Sequence, residues 1–451
     1  MAKLYGLIVF LITIFICVLA PSRYEYGYSL LCAILYWVYV LVYMIIRKKK
    51  NYFDFDSIFF ITYFFVTLYY TVVMYKTDPY RYIFYQLYFN KHTLPLASGL
   101  ALLGISGYIF GALIIKDKQA SSLKLLFINK FKIIKTTWMF LAAFVLVLLY
   151  IISGGYEMLI NEYIGGGGLQ VNDSGLGSYF FAFFPAFLIS GIIAEFFNMT
   201  LKSPEQFKFR YLNKFGIAVT VIVFLMFFLV GSRTIPLQIV LLCVGLYAFL
   251  YKPIKLRKFL LLIFLGFVVL AAVGILRSQL SEKKEIHLDD AALDLIVNNR
   301  NTFIVIDYVS KKGHSYGESM LAPILAPLPF AQSAAIALFD IEEDKMRSSL
   351  ITTKETFGSV GNWGLGTNIV ADVYLAFGIL GIIILFPLLG MIVHTAQNNF
   401  YNSVLALTIY SVLLSYAIYL ARAEYFYFFR YFIWCAVILG FGLKKLKVQE
   451  K

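Results

Sequence analysis

The chain has 451 residues, of which 61% are hydrophobic and 14% are charged, and its formal net charge is +14. Soluble domains have about 45–50% apolar and about 25% charged residues, so this composition excludes an ordinary soluble globular protein. Uncharged runs of roughly 17–25 residues, the length that crosses a bilayer, recur along the whole chain and predict an all-α polytopic membrane protein.

The hydrophobic pattern predicts about twelve transmembrane helices. Helices 1–9 occupy residues 1–276, one large loop covers 277–367 between helices 9 and 10, and 368–451 holds helices 10–12 and the tail. The first run lacks a convincing small-x-small cleavage site, so we interpret it as an anchor and not as a signal peptide. The predicted spans are 4–20, 28–46, 57–75, 94–115, 136–152, 178–197, 215–230, 234–251, 259–276, 368–390, 403–420 and 427–443.

Lysine and arginine are distributed unevenly between the short loops. The predicted inner segments hold most of them, including Arg47–Lys50, Lys202–Lys214 and Lys252–Lys258. By the positive-inside rule, both termini face the cytoplasm and the large loop 277–367 lies on the outer side. The positive net charge is then mostly this topology signal, and nothing in it indicates nucleic acid binding.

Cysteine and histidine give no indication of a metal or a cofactor. Cys17, Cys32, Cys243 and Cys435 all fall inside predicted spans, and no pair has zinc-site spacing. The histidines are scattered, and neither an HExxH motif nor a nucleotide-binding P-loop occurs. We therefore expect no cofactor and a metal-independent activity.

A polar triplet, Gly231–Arg233, separates the uncharged runs Phe215–Val230 and Thr234–Tyr251. Each run is barely long enough to span, so the triplet is predicted to form a tight turn at the outer surface. An ionisable residue at membrane depth usually has a function. Arg233 is also compatible with a side chain that only snorkels to the head groups.

Further arginines are predicted at the same surface, although the positive-inside rule disfavours them there. Arg422 and Arg430 are eight residues apart, so a continuous helix would place them on one face. A cluster of guanidinium groups suits a diphosphate or another polyanion, because each group is planar, always charged and able to bind in a bidentate way. The other two candidates for this cluster are Arg277 and Arg300.

The large loop has an order of its own. Residues 289–298 are predicted to form a short amphipathic helix, and the prolines of LAPILAPLPF make that segment too interrupted to span. It is predicted to lie on the outer membrane surface or to dip in and return. GHSYG, residues 313–317, matches the G-x-S-x-G nucleophile elbow, but this loop cannot supply the α/β sheet that the elbow needs. We interpret its glycines as turning the chain.

A second constellation is GNWGLGTNIVADVYLAFGILG, residues 361–381. Glycine-rich turns lead into the tenth span, where Asn368 and Asp372 are one helical step apart and Tyr374 is near. Gly378 and Gly381 are predicted to allow close helix packing. Asp372, close to arginines at the outer end of a span, is a candidate general base or an ion-pair partner.

Together, GSRT at the outer turn, YGESMLAPILAPLP inside the large loop and GLGTNIVADVYLAFGILG after it resemble the Wzy-type O-antigen and oligosaccharide repeat-unit polymerases. The resemblance covers the span count and most of residues 215–445. In many relatives the acidic position of the last motif is glutamate, whereas this chain has Asp372. The GSR turn is also similar to that of O-antigen ligases.

The resemblance implies a membrane glycosyltransferase of the bacterial inner membrane, with its active site facing the periplasm. It would transfer a glycan from undecaprenyl diphosphate to a hydroxyl of the next lipid-linked repeat unit. Its partners would be this lipid-linked oligosaccharide and membrane lipid, and a chain-length regulator protein is a further candidate. An O-antigen ligase and a transporter or flippase of lipid-linked sugars remain alternatives, although a transporter would place charges near the midplane.

The implied chemistry assigns roles to the candidate residues. Arginines would hold the leaving diphosphate, and a carboxylate would take the proton of the acceptor hydroxyl, with Asp372 as the first choice and Glu424 as the second. Arg233 completes the predicted catalytic set. The candidate residues for binding the diphosphate or the glycan are Arg277, Arg300, Arg422, Arg430, Tyr374, Asn368 and His314.

Overall fold

The computed structural model describes residues 2–80, 85–86, 90–116, 134–155, 175–230, 232–266, 268, 295–359 and 364–442. These residues form helices, turns and connecting segments, and no strand occurs among them. The main helices are α1 (Ala2–Val18), α2 (Tyr26–Ile46), α3 (Phe55–Thr67), α4 (Leu94–Ile114), α5 (Thr137–Ile152), α6 (Gly175–Lys202), α7 (Lys214–Val230), α8 (Thr234–Leu250), α9 (Asn299–Lys312), α10 (Leu321–Leu325), α11 (Ala331–Phe339), α12 (Ser348–Phe357), α13 (Ile369–Asn398), α14 (Val404–Ser415) and α15 (Phe429–Gly442). Residues 256–266 are also helical.

Four of these helices, α2, α4, α6 and α13, are long and apolar enough to cross a membrane by themselves. A fifth candidate is α3 together with the turns Tyr70–Thr77, which are bent by 44° relative to it. Shorter apolar helices, namely α1, α5, α7, α8, α14 and α15, lie at further predicted spans. The helical class is confirmed, and the count of twelve spans stays a prediction.

The third predicted span, 57–75, is not one continuous helix. Leu68 leaves helical geometry, with φ −122° and ψ −28°, and a π-helical turn, Tyr70–Met74, follows. Irregular turns of this kind usually mark a local change in helix direction. The uninterrupted apolar pattern of the sequence does not reveal this bend.

The centre of the bundle is a close contact between α4 and α13. A Cβ atom added at Gly111 would lie 1.9 Å from the Pro387 carbonyl oxygen, and one at Gly390 would lie 2.2 Å from that of Tyr108. Such backbone approach is possible only where side chains are absent, which is how small residues pack membrane helices. The close packing therefore lies at these glycines and not at Gly378 and Gly381, where the sequence predicted it.

Near its C-terminal end, α13 is tied to α2, α3 and α4 by a buried polar network. Asp56 accepts hydrogen bonds from the hydroxyl groups of Tyr43, at 2.6 Å, and Tyr108, at 2.5 Å. His394 Nε2 lies 3.3 Å from the same carboxylate, and Lys49 forms a 2.8 Å salt bridge with Asp54. Because a buried charge is tolerated only when paired and hydrogen-bonded, this network fixes the relative positions of the helices that meet there.

The described part of the large loop, 295–359, is a small helical cap. It contains α9–α12, and α9 packs against the beginning of α13 through a buried cluster of Val305, Ile351, Ala371 and Leu375. The predicted helix 289–298 lies largely outside the described residues. LAPILAPLPF forms the short helix α10 and the turn before α11, so its predicted interruption is confirmed.

Candidate functional site

A cavity of about 510 Å³ lies at the end of the bundle where α7 meets α8 and where α13 begins. It is enclosed by residues from the α7–α8 turn, the cap, the segment before α13 and the connection between α14 and α15. We call it the arginine cavity, and its lining residues are Arg233, Thr234, Arg347, Ser349, Gly366, Thr367, Tyr419, Arg422, Ala423, Glu424 and Tyr427.

Breaks between helices bring the predicted residues of this cavity together. Arg233 is the N-cap residue of α8 and follows the end of α7 at Val230 after only two residues. Arg422 ends a 3₁₀ turn, and Ala423 is extended, with φ −132° and ψ 177°. Consequently Arg233 lines the same space as Arg422 and Glu424, which lie far from it in the sequence.

The same break corrects one sequence-based expectation. Arg422 and Arg430 do not share a helix face, because regular helix resumes only at Phe429, where α15 begins. The two arginines instead line different cavities. The sequence predicts a connection between two spans at 421–426, but its pattern does not indicate the extended backbone at Ala423.

Arg347 is a further charged residue of this cavity, and it is not among the residues predicted from the sequence. It is the N-cap residue of α12, in extended geometry with φ −138° and ψ 132°, and it lines the arginine cavity from the cap. Its signal in the sequence is slight, because it follows the run EEDK and mixed charges of this kind usually mark a solvated surface. With Arg347, three guanidinium groups face one carboxylate in the lining, so the cavity favours a polyanion.

Glu424 supplies that carboxylate. Its side chain is almost fully buried, and its Oε1 accepts a 2.8 Å hydrogen bond from the Ser349 hydroxyl group. Tyr427 lines the same cavity. A tyrosine phenol is protonated at neutral pH and can donate a hydrogen bond.

Asp372 lies behind Glu424 and not in the lining of the cavity. Its side chain has no exposed surface, and its Oδ2 accepts a 2.9 Å hydrogen bond from the main-chain N–H of Tyr425, the residue after Glu424. Asp372 therefore holds the segment that carries Glu424. The sequence ranked Asp372 first as the base, whereas in the structure Glu424 is the carboxylate that faces the cavity.

Asn368 is the N-cap residue of α13, and it joins this helix to the helical cap formed by residues 295–359. Its Oδ1 accepts hydrogen bonds from the N–H groups of Val370 and Ala371, and its Nδ2 donates to the Asn298 carbonyl oxygen at 2.7 Å and to the Thr302 hydroxyl at 2.9 Å. An asparagine amide has two donors and one oxygen acceptor. These hydrogen bonds engage the amide group of Asn368 in holding the start of α13 in place.

The helix α13 is interrupted at Gly378, where φ is 63° and ψ is −151°. In the turn before this break, the Tyr374 carbonyl oxygen lies 3.1 Å from His314 Nδ1, and the Leu375 carbonyl oxygen accepts a 2.9 Å hydrogen bond from the Ser315 N–H. A carbonyl oxygen can only accept, so the first contact requires the tautomer with hydrogen on Nδ1. GHSYG therefore docks the cap onto the broken helix.

These contacts show what the remaining residues of the predicted set do. His314 and Tyr374 meet at the docking point, with their ring centroids 5.6 Å apart, and neither lines the arginine cavity. Ser315 bonds to Ser319 at 2.8 Å, and Gly317 has a φ of 94°. The interpretation of the GHSYG glycines as turn residues is confirmed.

Arg300 does not line the arginine cavity. Arg300 is fully buried in the first turn of α9 and donates a 2.8 Å hydrogen bond to the Thr356 hydroxyl, which joins α9 to α12. Arg277 lies outside the described residues.

A second, smaller cavity of about 210 Å³ shares Arg347 with the first. Its polar lining includes Arg430, and much of the rest is apolar or aromatic, including Phe183, Leu328 and Trp434. We call it the aromatic cavity. Arg347 is therefore a lining residue of both cavities.

Two further cavities, of about 490 and 520 Å³, lie near the end of α6 and the start of α7. Both are lined by Glu195, whose carboxylate accepts hydrogen bonds from the Thr136 hydroxyl and the Asn213 N–H. These contacts hold α5, α6 and α7 together. Neither lining contains an arginine among the described residues, so the charge that suits a polyanion is at the other end of the bundle.

Within the part of the chain that the structure describes, no group of three or more histidine, cysteine, aspartate or glutamate side chains is arranged to hold a metal ion. The expectation of metal-independent activity stays a prediction.

The sequence model of the family described as O-antigen polysaccharide polymerase Wzy matches residues 4–443, nearly the whole chain. The chain belongs to this family. It is therefore a multi-pass inner-membrane polymerase of the glycosyltransferase type, and it acts on lipid-linked oligosaccharide repeat units. The family match favours the polymerase over the ligase and the transporter. No curated protein and no solved structure matches the chain.

Proposed function

We propose that the chain transfers a glycan from undecaprenyl diphosphate to a hydroxyl of the next lipid-linked repeat unit, and that the reaction takes place in the arginine cavity on the periplasmic face. The observation that carries this proposal is the meeting of Arg233, Arg347 and Arg422 with Glu424 in one space. Three fixed cations suit a leaving diphosphate, and the carboxylate suits an acceptor hydroxyl.

The reaction has a simple balance of bonds. The acceptor hydroxyl oxygen forms a bond to the anomeric carbon of the donor glycan, and the bond from that carbon to the diphosphate oxygen breaks with its electron pair. Glu424 takes the hydroxyl proton as general base. The arginines neutralise the charge that develops on the leaving diphosphate, which is preorganised electrostatic stabilisation.

The Ser349 hydroxyl supports the assignment of Glu424 as the base. Its 2.8 Å hydrogen bond orients Oε1 and leaves Oε2 for the acceptor hydroxyl. Asp372 acts in this proposal as a positioning residue, because its hydrogen bond to the Tyr425 N–H holds the segment that carries Glu424. The proposed chemistry needs no metal, so polymerisation is expected to continue in the presence of EDTA.

The periplasmic location is supported by charge distribution. Arg233 lies at the junction of α7 and α8, whereas the basic segments Lys202–Lys214 and Lys252–Lys258 lie at the opposite ends of these helices. Because basic loops favour the cytoplasm, the arginine cavity belongs to the other side. A chain-length regulator, proposed as a further partner, would then contact the chain from the periplasm.

The test compares two isosteric variants, Glu424→Gln and Asp372→Asn, in purified full-length protein supplied with lipid-linked repeat units. Glu424→Gln should lower the rate of chain extension by about 10²–10⁴-fold, the usual contribution of a general base, with nearly unchanged donor affinity. Asp372→Asn should lose less, because its amide oxygen still accepts from the Tyr425 N–H. The exposed Glu343 provides the matched control, Glu343→Gln, which should behave as wild type.

A full-rate Glu424→Gln variant would remove Glu424 from the chemistry. If in addition Asp372→Asn abolished extension without altering protein stability, the base would be Asp372.

A further inference from the structure

The aromatic cavity combines two properties that a soluble anion does not need. It has two arginines in its lining, Arg347 and Arg430, and it also has an apolar wall that includes Leu328 and Phe330. These two apolar side chains are 64% and 72% exposed. Exposed apolar surface next to fixed positive charge is typical of a site for an amphiphile with an anionic head.

We propose that the aromatic cavity is the lipid-side part of the donor site: it holds the lipid-proximal phosphate and the first isoprenoid units of a polyprenyl diphosphate, and Arg347 binds the diphosphate where the two cavities meet. This inference rests on the proposed function, since it places the glycan end of the same donor in the arginine cavity.

Arg430 is held ready for a phosphate. Its guanidinium carbon lies 5.0 Å from the Tyr431 ring centroid and 5.4 Å from that of Trp434, and Nη2 donates to the Tyr431 hydroxyl at 3.3 Å. Stacking against aromatic rings fixes the guanidinium plane. A guanidinium has five N–H donors, so the contact with Tyr431 leaves others for a ligand.

The apolar wall is built by the cap and the bundle together. Trp434 of α15 stacks on Phe183 of α6, with 4.2 Å between ring centroids, and its Nε1 donates a 2.8 Å hydrogen bond to the Pro327 carbonyl oxygen. This bond fixes the LAPLPF segment over the cavity. Phe330 has a left-handed backbone, with φ 64°, which is uncommon for a bulky residue and is often found at functional sites.

The shared arginine favours a diphosphate over an ordinary phospholipid head. Arg347 borders both cavities, with Arg430 on one side and Arg233 and Arg422 on the other. The two linked phosphates of a diphosphate can contact arginines in both cavities, whereas a single phosphate would contact those of only one cavity. The glycan continues into the arginine cavity, and the isoprenoid chain leaves past Phe330 toward the membrane.

The helix α11 supplies a matched pair of variants. Phe330 precedes α11 and Phe339 ends it, both side chains are 72% exposed, and only Phe330 lines the aromatic cavity. We expect Phe330→Ser to weaken binding of undecaprenyl diphosphate by about 3- to 10-fold, as expected for the loss of part of an apolar contact. Phe339→Ser should leave the affinity unchanged. Leu328→Ser, also at an exposed position, should repeat the effect of Phe330→Ser.

The probes are undecaprenyl diphosphate, inorganic diphosphate and phosphatidylglycerol, each titrated against purified full-length protein in detergent. Phe330→Ser should leave the affinity for inorganic diphosphate within about 2-fold of wild type, whereas Arg347→Ala should weaken binding of both diphosphates by about 10-fold or more. Phosphatidylglycerol should compete poorly. At saturating donor, the control variant Phe339→Ser should make polymer at the wild-type rate.

Unchanged affinity for undecaprenyl diphosphate in both Phe330→Ser and Leu328→Ser would overturn the lipid subsite and leave the proposed polymerase chemistry standing. Equal competition by phosphatidylglycerol would also overturn it, because the cavity would then be an ordinary lipid contact. Failure of the proposed function has a separate sign, which is normal chain extension by Glu424→Gln.

Discussion

At the scale of single residues, the informative side chains are polar groups in apolar surroundings. Arg233, Arg422 and Glu424 stand out in the sequence because each interrupts or borders an apolar run, and the structure brings all three into one cavity. Arg347 was not predicted as a site residue, because it lies in a polar loop where a further charged residue does not stand out from its neighbours. The choice between Asp372 and Glu424 as the base stays a prediction, and the structure adds that Glu424 lines the cavity whereas Asp372 does not.

Substitution of Arg233 tests whether its side chain binds the diphosphate or only snorkels to the head groups. It is half-buried and shares the cavity with Arg347 and Arg422, which favours a ligand role. We expect Arg233→Lys to lose much of the activity, because a point charge lacks the bidentate fork, and Arg233→Ala to lose about 10²-fold or more. Chain length and extension rate, measured at equal protein levels, are the readout.

Arg210 is a suitable control for this experiment. It is exposed at the opposite end of α7 and stacks on Tyr211, with 4.9 Å to the ring centroid. Arg210→Ala should extend chains at the wild-type rate. Wild-type rates in Arg233→Lys and Arg233→Ala as well would assign Arg233 to the head-group region only.

At the scale of elements, the sequence located helices well and their interruptions poorly. The bend after α3 and the break at Gly378 lie within predicted spans whose apolar pattern is continuous, whereas Ala423 lies in the predicted connection between two spans. The break at Gly378 is accompanied by contacts from another part of the chain. At Gly378 these come from His314 and Ser315, more than fifty residues earlier, so local propensity does not contain the information.

The break in α13 gives a prediction about Gly378. Its backbone geometry, φ 63° and ψ −151°, is available almost only to glycine, and a Cβ atom there would lie 2.9 Å from the His314 ring. Gly378→Ala should therefore destabilise the protein by about 1–3 kcal/mol and misplace the short helix that carries Asp372. Thermal stability in detergent and extension rate should both fall.

A double-mutant cycle separates the backbone strain at Gly378 from the steric contact with the His314 ring. His314→Ala removes the ring that Cβ would meet, so part of the loss in Gly378→Ala should disappear in the double variant, and the backbone strain should remain. Gly440→Ala is the control, since nothing lies within 4 Å of a Cβ there. A neutral Gly378→Ala variant would show that α13 tolerates a straight path.

At the scale of the whole molecule, two polar regions lie near the two ends of α13. Asp372 is near the arginine cavity at the beginning of this helix, and His394 is near its other end, in the network around Asp56. The long helix α13, packed closely on α4, connects these regions. The sequence predicts this arrangement from its charge asymmetry, whereas the interlocking of the cap with the bundle required the structure.

The predicted topology is testable by cysteine labelling. Cys17, Cys32 and Cys435 are buried and Cys243 is half-buried, so the wild-type background with a membrane-impermeant maleimide should be low. Lys345→Cys, at an exposed position of the cap, should be labelled in intact spheroplasts. Arg210→Cys, exposed near the basic start of α7, should be labelled only after the membrane is disrupted. The reverse pattern would place the arginine cavity in the cytoplasm, where the proposed periplasmic reaction is impossible, while membership of the family would stand.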